Sequence, residues 1–187
     1  MVLIDYRALA VRIQNNYIDI TIISAYAYTE HTDQTKRKQW WQELKREIHR
    51  LPKRTTTILG IDANGHTGRD PGPGIGSNKE EMWTFSGLQL QILVTETNLV
   101  ATNTLTNCTN AGPTWFRRDG NGSGRIDYFI IDNKQTNQII DNHGAMAWDE
   151  IGRQGAAIDH KAVMIRRNFK MLQEQSNKKP PSTNTNK

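Results

Sequence analysis

The sequence predicts an α+β fold in which strands and hairpins outnumber helices. Three observations predict it. A β-branched run over residues 17–27 follows an Asn15-Asn16 turn signal. Trp40, Trp41, Leu44, Ile48 and Leu51 recur at helical spacing. A tight turn, Asp119-Gly120-Asn121-Gly122-Ser123-Gly124, separates two strand-like segments.

The elements follow in order. Leu9, Val11 and Ile13 alternate with Ala10 and Arg12, a first strand. Ile18, Ile20, Ile22 and Ile23 fill the second, and the two form a hairpin. Thr32 or Asp33 caps the first helix and Pro52 stops it; Lys36, Arg37, Lys38, Lys45, Arg46 and Arg50 read as its solvated face, with a phosphate-facing role as the alternative. Residues 55–61 form a strand ending at Asp62-Ala63-Asn64-Gly65, and a glycine- and proline-rich loop runs on to Gly76. No Gly-Lys-Ser/Thr follows, so the loop is not a Walker phosphate loop. Ser86 or Gly87 opens a short helix carrying Leu88, Leu90, Ile92 and Leu93, and residues 99–102 form a strand. Residues 114–117 enter the glycine-rich turn and return as 125–131, a strand–turn–strand hairpin; a last strand covers 162–165.

Composition bounds the function. The 187 residues suit one domain, expected over 1–170, and residues 175–187, rich in Ser, Asn, Lys and Pro, read as a disordered tail. A mean hydropathy of −0.69 and the lack of any apolar run near the roughly 20 residues of a spanning helix exclude a membrane-embedded chain. Asp5 and Arg7 interrupt the apolar start, so no signal-peptide core is present. The single Cys108 excludes an internal disulfide and a multi-cysteine zinc site. An intracellular setting, nucleus or cytoplasm, is expected, and the sequons at Asn107 and Asn121 are incidental. The net charge of +5 includes Lys178, Lys179 and Lys187 of the tail, leaving +2, a weak signal for a polyanionic partner.

Polar clusters stand where strands end or turn. Asp62 and Asn64 follow one strand directly, and as turn residues their side chains bond their own backbone. Asp159 and His160 precede the last strand, and Tyr26 ends the long N-terminal one. Asp127 is the informative residue. It sits between Ile126 and Tyr128, and an ionised carboxylate in an apolar strand costs several kcal/mol unless a cation, a histidine or a metal partners it. His160 is a candidate partner, because a carboxylate orients and charges an imidazole.

The order Tyr26, then Gly60-Ile61-Asp62-Ala63-Asn64, then Thr114-Trp115, then Arg125-Ile126-Asp127-Tyr128, then Asp159-His160 resembles the endonuclease/exonuclease/phosphatase superfamily, the deoxyribonuclease-I-like fold. Within it the sequence is most similar to endonuclease domains of non-LTR retrotransposons, over roughly residues 8–168. The resemblance implies an αββα sandwich of two mostly antiparallel sheets. It implies a phosphodiesterase dependent on Mg²⁺ or Mn²⁺ and acting on nucleic acids, DNA first, or on phosphate esters. By motif, Asp62 positions or deprotonates the attacking water, and Asn64 holds that water or the scissile phosphate. Asp127 orients His160, which stabilises the phosphoryl oxygens or shares in proton transfer, and Tyr26 contacts the phosphate. Asp159, with Asp62, binds metal or a metal-bound water, while Thr114 and Trp115 shape the nucleic-acid face. Three motifs depart from the family pattern: Tyr26-Ala27-Tyr28 stands for Tyr-x-Pro, Ile61 precedes Asp62, and Ile158 precedes Asp159. The family's strand bearing a metal-binding glutamate has no counterpart before Ala8, so the chain is expected to be the C-terminal two-thirds of the domain. A preceding segment or a second chain would then supply the rest, and the alternative is a non-catalytic remnant that binds nucleic acid or has no function.

Overall fold

A six-stranded sheet organises the chain, in the order β1-β2-β3-β4-β8-β5. The computed structural model describes residues 2–4, 6–68, 72–78, 82–146 and 159–168; Ile158 and the tail expected over 175–187 lie outside them. The strands are β1 (Val2–Ile4), β2 (Ala8–Gln14), β3 (Asp19–Tyr26), β4 (Thr56–Asp62), β5 (Leu99–Ala101), β6 (Trp115–Phe116), β7 (Ser123–Gly124), β8 (Asp127–Asp132), β9 (Ile139–Met146) and β10 (Ala162–Arg167). The α-helices are α1 (Gln34–Arg50) and α2 (Phe85–Thr97). Among the described residues only β3 and β4 form a parallel ladder, joined through α1; the other ladders are antiparallel.

The sequence logic holds for most elements. Asn15 turns the β2–β3 hairpin by accepting from the N–H groups of Tyr17 and Ile18, both at 2.8 Å. Asp33 caps α1 by accepting from Lys36 N at 3.0 Å. Trp40, Trp41, Leu44 and Ile48 bury one stripe of α1 against Ile23, Ala25, Leu59 and Ile61 of the sheet. Thr84, rather than Ser86, caps α2, and Asn98 ends it in the left-handed region at φ 53°. Leu90, Leu93 and Val94 extend the same core over Ala101, Tyr128 and Ile130. Both α-helices thus cover one face of the sheet. On the other face β10 lies against β8; β9–β10 and β6–β7 are two separate two-stranded ribbons, linked by the Trp115–His160 bridge. The fold is α+β, mostly antiparallel and layered, as expected.

Two expectations change. The hairpin around the 119–124 turn has arms of only two residues, with Trp115 opposite Gly124 and Phe116 opposite Ser123. The apolar return strand leaves it and enters the middle of the large sheet between β4 and β5. Ile130 and Ile131 are both fully buried there, which an outer hairpin arm could not achieve. Arg37 is not on a solvated face: it is 8% exposed, paired with Glu30, and its guanidinium lies 4.7 Å from the Phe85 ring centre. The other basic residues of α1 do face outward, where Lys45 pairs with Glu96, Arg46 with Glu43 and Arg50 with Glu47.

Candidate active site at one end of the large sheet

Three neighbouring strands bring their polar ends into one row. Tyr26 on β3 is level with Asp62 on β4, and Asp62 is level with Asp127 on β8. Level residues of paired strands point to the same face, so the row needs only register to form. His160, just before β10, completes it: its Nδ1 lies 3.1 Å from Asp127 Oδ2. Ligand atoms of Asp62, Asp127 and His160 all fall within 4.8 Å of one another.

Backbone and buried side chains hold this arrangement. Trp115 bridges to His160 in antiparallel fashion; Phe116 N donates to Asp159 O at 2.7 Å, and Lys161 N to Thr114 O at 2.6 Å. Thr114 was expected at a nucleic-acid face, but it is fully buried. Its Oγ1 instead accepts from the N–H groups of Ile126 and Asp127, both at 3.1 Å, and so sets the start of β8. A hydroxyl that satisfies two buried amides has no surface left for a ligand. Trp115 is half-buried beside it, and Tyr26 is exposed.

Asn64 takes φ 47°, a left-handed conformation that asparagine tolerates. Its N–H donates to Asp62 Oδ1 at 2.9 Å and its Nδ2 to Ala27 O at 2.8 Å. Burial pushes the Asp62 carboxyl up to about 6; the Asn64 amide and the nearby imidazole oppose this, and the charge of Asp127 adds to it. Asp159 stands outside the group of three, with its carboxylate 3.8 Å from Arg118 Nε.

The Asp62 and Asp127 carboxylates, with the His160 imidazole beside them, are a donor set that fits a divalent cation. Burial, more than the charge of Asp127, raises the Asp62 carboxyl, and a bound cation would favour its ionised form.

Sequence reasoning missed several supporting residues. Asn103, fully buried, donates to Asp127 O at 2.9 Å and accepts from Phe129 N at 3.3 Å. It lies in a polar Thr102-Asn103-Thr104 run that reads as loop, so nothing local singled it out. Arg125 is buried, and its Nη1 reaches the carbonyls of Asn78, Asn103 and Ala111 at 2.6, 3.2 and 3.0 Å. Gly124 is required because a Cβ there would come within 2.1 Å of His66 Cε1, which packs the 62–68 loop against the hairpin.

No protein-family model matches the chain, and no curated protein matches it. Among solved structures it is similar to a 3′ phosphatase from Neisseria bound to a product DNA hairpin, at 15% identity and TM-score 0.60, over 87% of this chain and 65% of that one. It is similar to an endonuclease/exonuclease/phosphatase family protein from Leptotrichia buccalis, at 14% identity and TM-score 0.53, over 87% and 53%. The endonuclease domain of TRAS1, a telomere-specific non-LTR retrotransposon, aligns at 22% identity and TM-score 0.49, over 73% and 55%. The chain thus spans between about half and two thirds of their lengths. Its fold is the endonuclease/exonuclease/phosphatase fold.

Proposed function

We propose that this chain carries a divalent-metal-dependent phosphodiesterase that cuts nucleic acid, with DNA as substrate. The observation that carries the reading is the grouping of Asp62, Asp127 and His160 at one end of the sheet, on the fold of nucleases and phosphatases. The DNA hairpin held by the Neisseria protein supports the choice of substrate. The retrotransposon-type origin rests on the motif order of the sequence alone. No helix among the described residues is long and apolar enough to cross a membrane, and a DNA substrate agrees with work in the nucleus or cytoplasm.

The residues divide the task. Asp62 takes the proton of the attacking water. Asn64, tied to the ends of β3 and β4, holds that water or the scissile phosphate. Asp127 holds the His160 ring by Nδ1, and His160 stabilises the phosphoryl oxygens as charge gathers on them or shares in proton transfer. Tyr26 contacts the phosphate and Trp115 shapes the adjoining surface. Asp62 and Asp127 would hold Mg²⁺ or Mn²⁺, with Asp159 on a water of the ion. When bound, the cation neutralises phosphoryl charge.

A second reading, a non-catalytic nucleic-acid-binding module of the same fold, is favoured by one observation: the candidate ligand group among the described residues contains no glutamate. Nicking of supercoiled DNA by the purified chain decides between them. Nicking in Mg²⁺ that stops in chelator and falls by at least about 10²-fold in His160→Ala supports the phosphodiesterase. Absence of nicking with retained DNA binding supports the module.

A further inference from the structure

The row at the sheet end does not stop at Tyr26. Tyr26 N donates to Arg7 O at 2.7 Å, extending the β2–β3 ladder by one residue beyond the Ala8–Ala25 pair. Arg7 is therefore level with Tyr26, and the row along the sheet end reads Arg7, Tyr26, Asp62 and Asp127, with His160 set beside Asp127 from outside the sheet. The Arg7 guanidinium lies 5.0 Å from the Tyr26 ring centre and 4.0 Å from that of Tyr28. Lys36 Nζ lies 4.8 Å from the Tyr28 ring centre. Arg7 Nη1 also donates to Tyr26 O at 3.5 Å; stacking and this contact hold the guanidinium in one plane and leave its remaining N–H groups for an anion. Among the described residues no carboxylate forms an ion pair with Arg7, unlike Arg37, Arg46 and Arg50.

We propose that Arg7 binds a phosphate flanking the one that reacts at Asp62, so that the site takes a polynucleotide rather than a small phosphate ester. This rests on the phosphodiesterase reading. Strands lie about 4.8 Å apart, which puts Arg7 roughly 10 Å along the row from Asp62. That spacing is between backbones; the guanidinium lies on the side of Tyr26 away from Asp62, within reach of a neighbouring phosphate of the same strand. Tyr26 lies between the two positions.

The test compares wild type, Arg7→Ala and Arg7→Lys on two substrates, a DNA oligonucleotide and bis(p-nitrophenyl) phosphate, in Mg²⁺. Oligonucleotide binding in chelator is measured by fluorescence anisotropy over a range of salt. The expected result for Arg7→Ala is about a tenfold rise in oligonucleotide KM and Kd, with kcat held within about twofold. The slope of log binding constant against log salt falls by about 0.7–1, and small-diester hydrolysis is unchanged. Arg7→Lys, which keeps the charge and loses the fork, falls between. Thermal midpoints separate these effects from a lost tyrosine contact. Equal loss on both substrates, or an unchanged salt slope, overturns the proposal. If wild type hydrolyses neither substrate, the phosphodiesterase reading fails, and the anisotropy arm still decides on Arg7.

Discussion

Asp62 illustrates a conflict between stability and use at one residue. Its carboxyl sits near 6 in the folded chain and near 4 when unfolded. Between those pH values the folded state holds a proton that the unfolded state has lost, so stability falls as pH rises through this window and stays lowered above it. At 1.36 kcal/mol per pKa unit the full cost is about 3 kcal/mol, and partial solvent contact leaves about 1–2. Asp62→Asn, which keeps an acceptor for Asn64 N–H, is expected to raise the melting midpoint at pH 7.5 by about 3–6 °C in chelator and to do little at pH 4. Mg²⁺ should raise the wild-type midpoint and leave that of the variant nearly unmoved. Calorimetry at the two pH values checks both. A neighbouring carboxylate was legible for a different reason. Asp127 between Ile126 and Tyr128 is costly without a partner, and His160 is beside it.

At the scale of elements, short strands carry the site and buried polar side chains carry the short strands. Thr114 holds the first two amides entering β8, and Arg125 ties three carbonyls of separate loops. Thr114→Val should cost about 1–3 kcal/mol, because two buried N–H groups lose their acceptor. It should also lower kcat through Asp127, with Thr114→Ser restoring both. Arg125→Ala should cost about 3 kcal/mol or more, read as a drop in the urea midpoint. Neither role could be read beforehand, since a threonine or arginine beside a turn has the same local signature whether it faces solvent or closes a core. β9 was missed for a similar reason. Its Asp141-Asn142-His143-Gly144 centre has no strand pattern, and pairing with β10 makes it a strand.

Across the whole molecule the two faces of the large sheet are treated unequally. The helix face is buried over Ala8 of β2 and the core positions of β3, β4, β8 and β5. On the other face Leu9, Val11 and Ile13 of β2 and Ile22 of β3 remain 39–49% exposed, forming one strip because Val11 is level with Ile22. Ile23, on the helix side, is buried at 4% exposure. A contiguous apolar strip of this kind favours association. Concentration-dependent self-association is expected in sedimentation velocity, and Val11→Thr combined with Ile13→Thr and Ile22→Thr should reduce it. A monodisperse monomer across the concentration range would show that the strip is not a contact face.

The sequence by itself determined the α1 stripe, the Asn15 and Asp33 turns and caps, and the strand run of β3. It also placed polar residues at strand ends. These depend on period and on hydrogen bonds spanning three or four residues. Tertiary structure alone decided the partner of β8, the burial of Arg37 and Thr114, and the row joining Arg7 to His160. Those depend on sheet register between strands far apart in the chain, and register is set by which apolar face finds cover across the whole sheet.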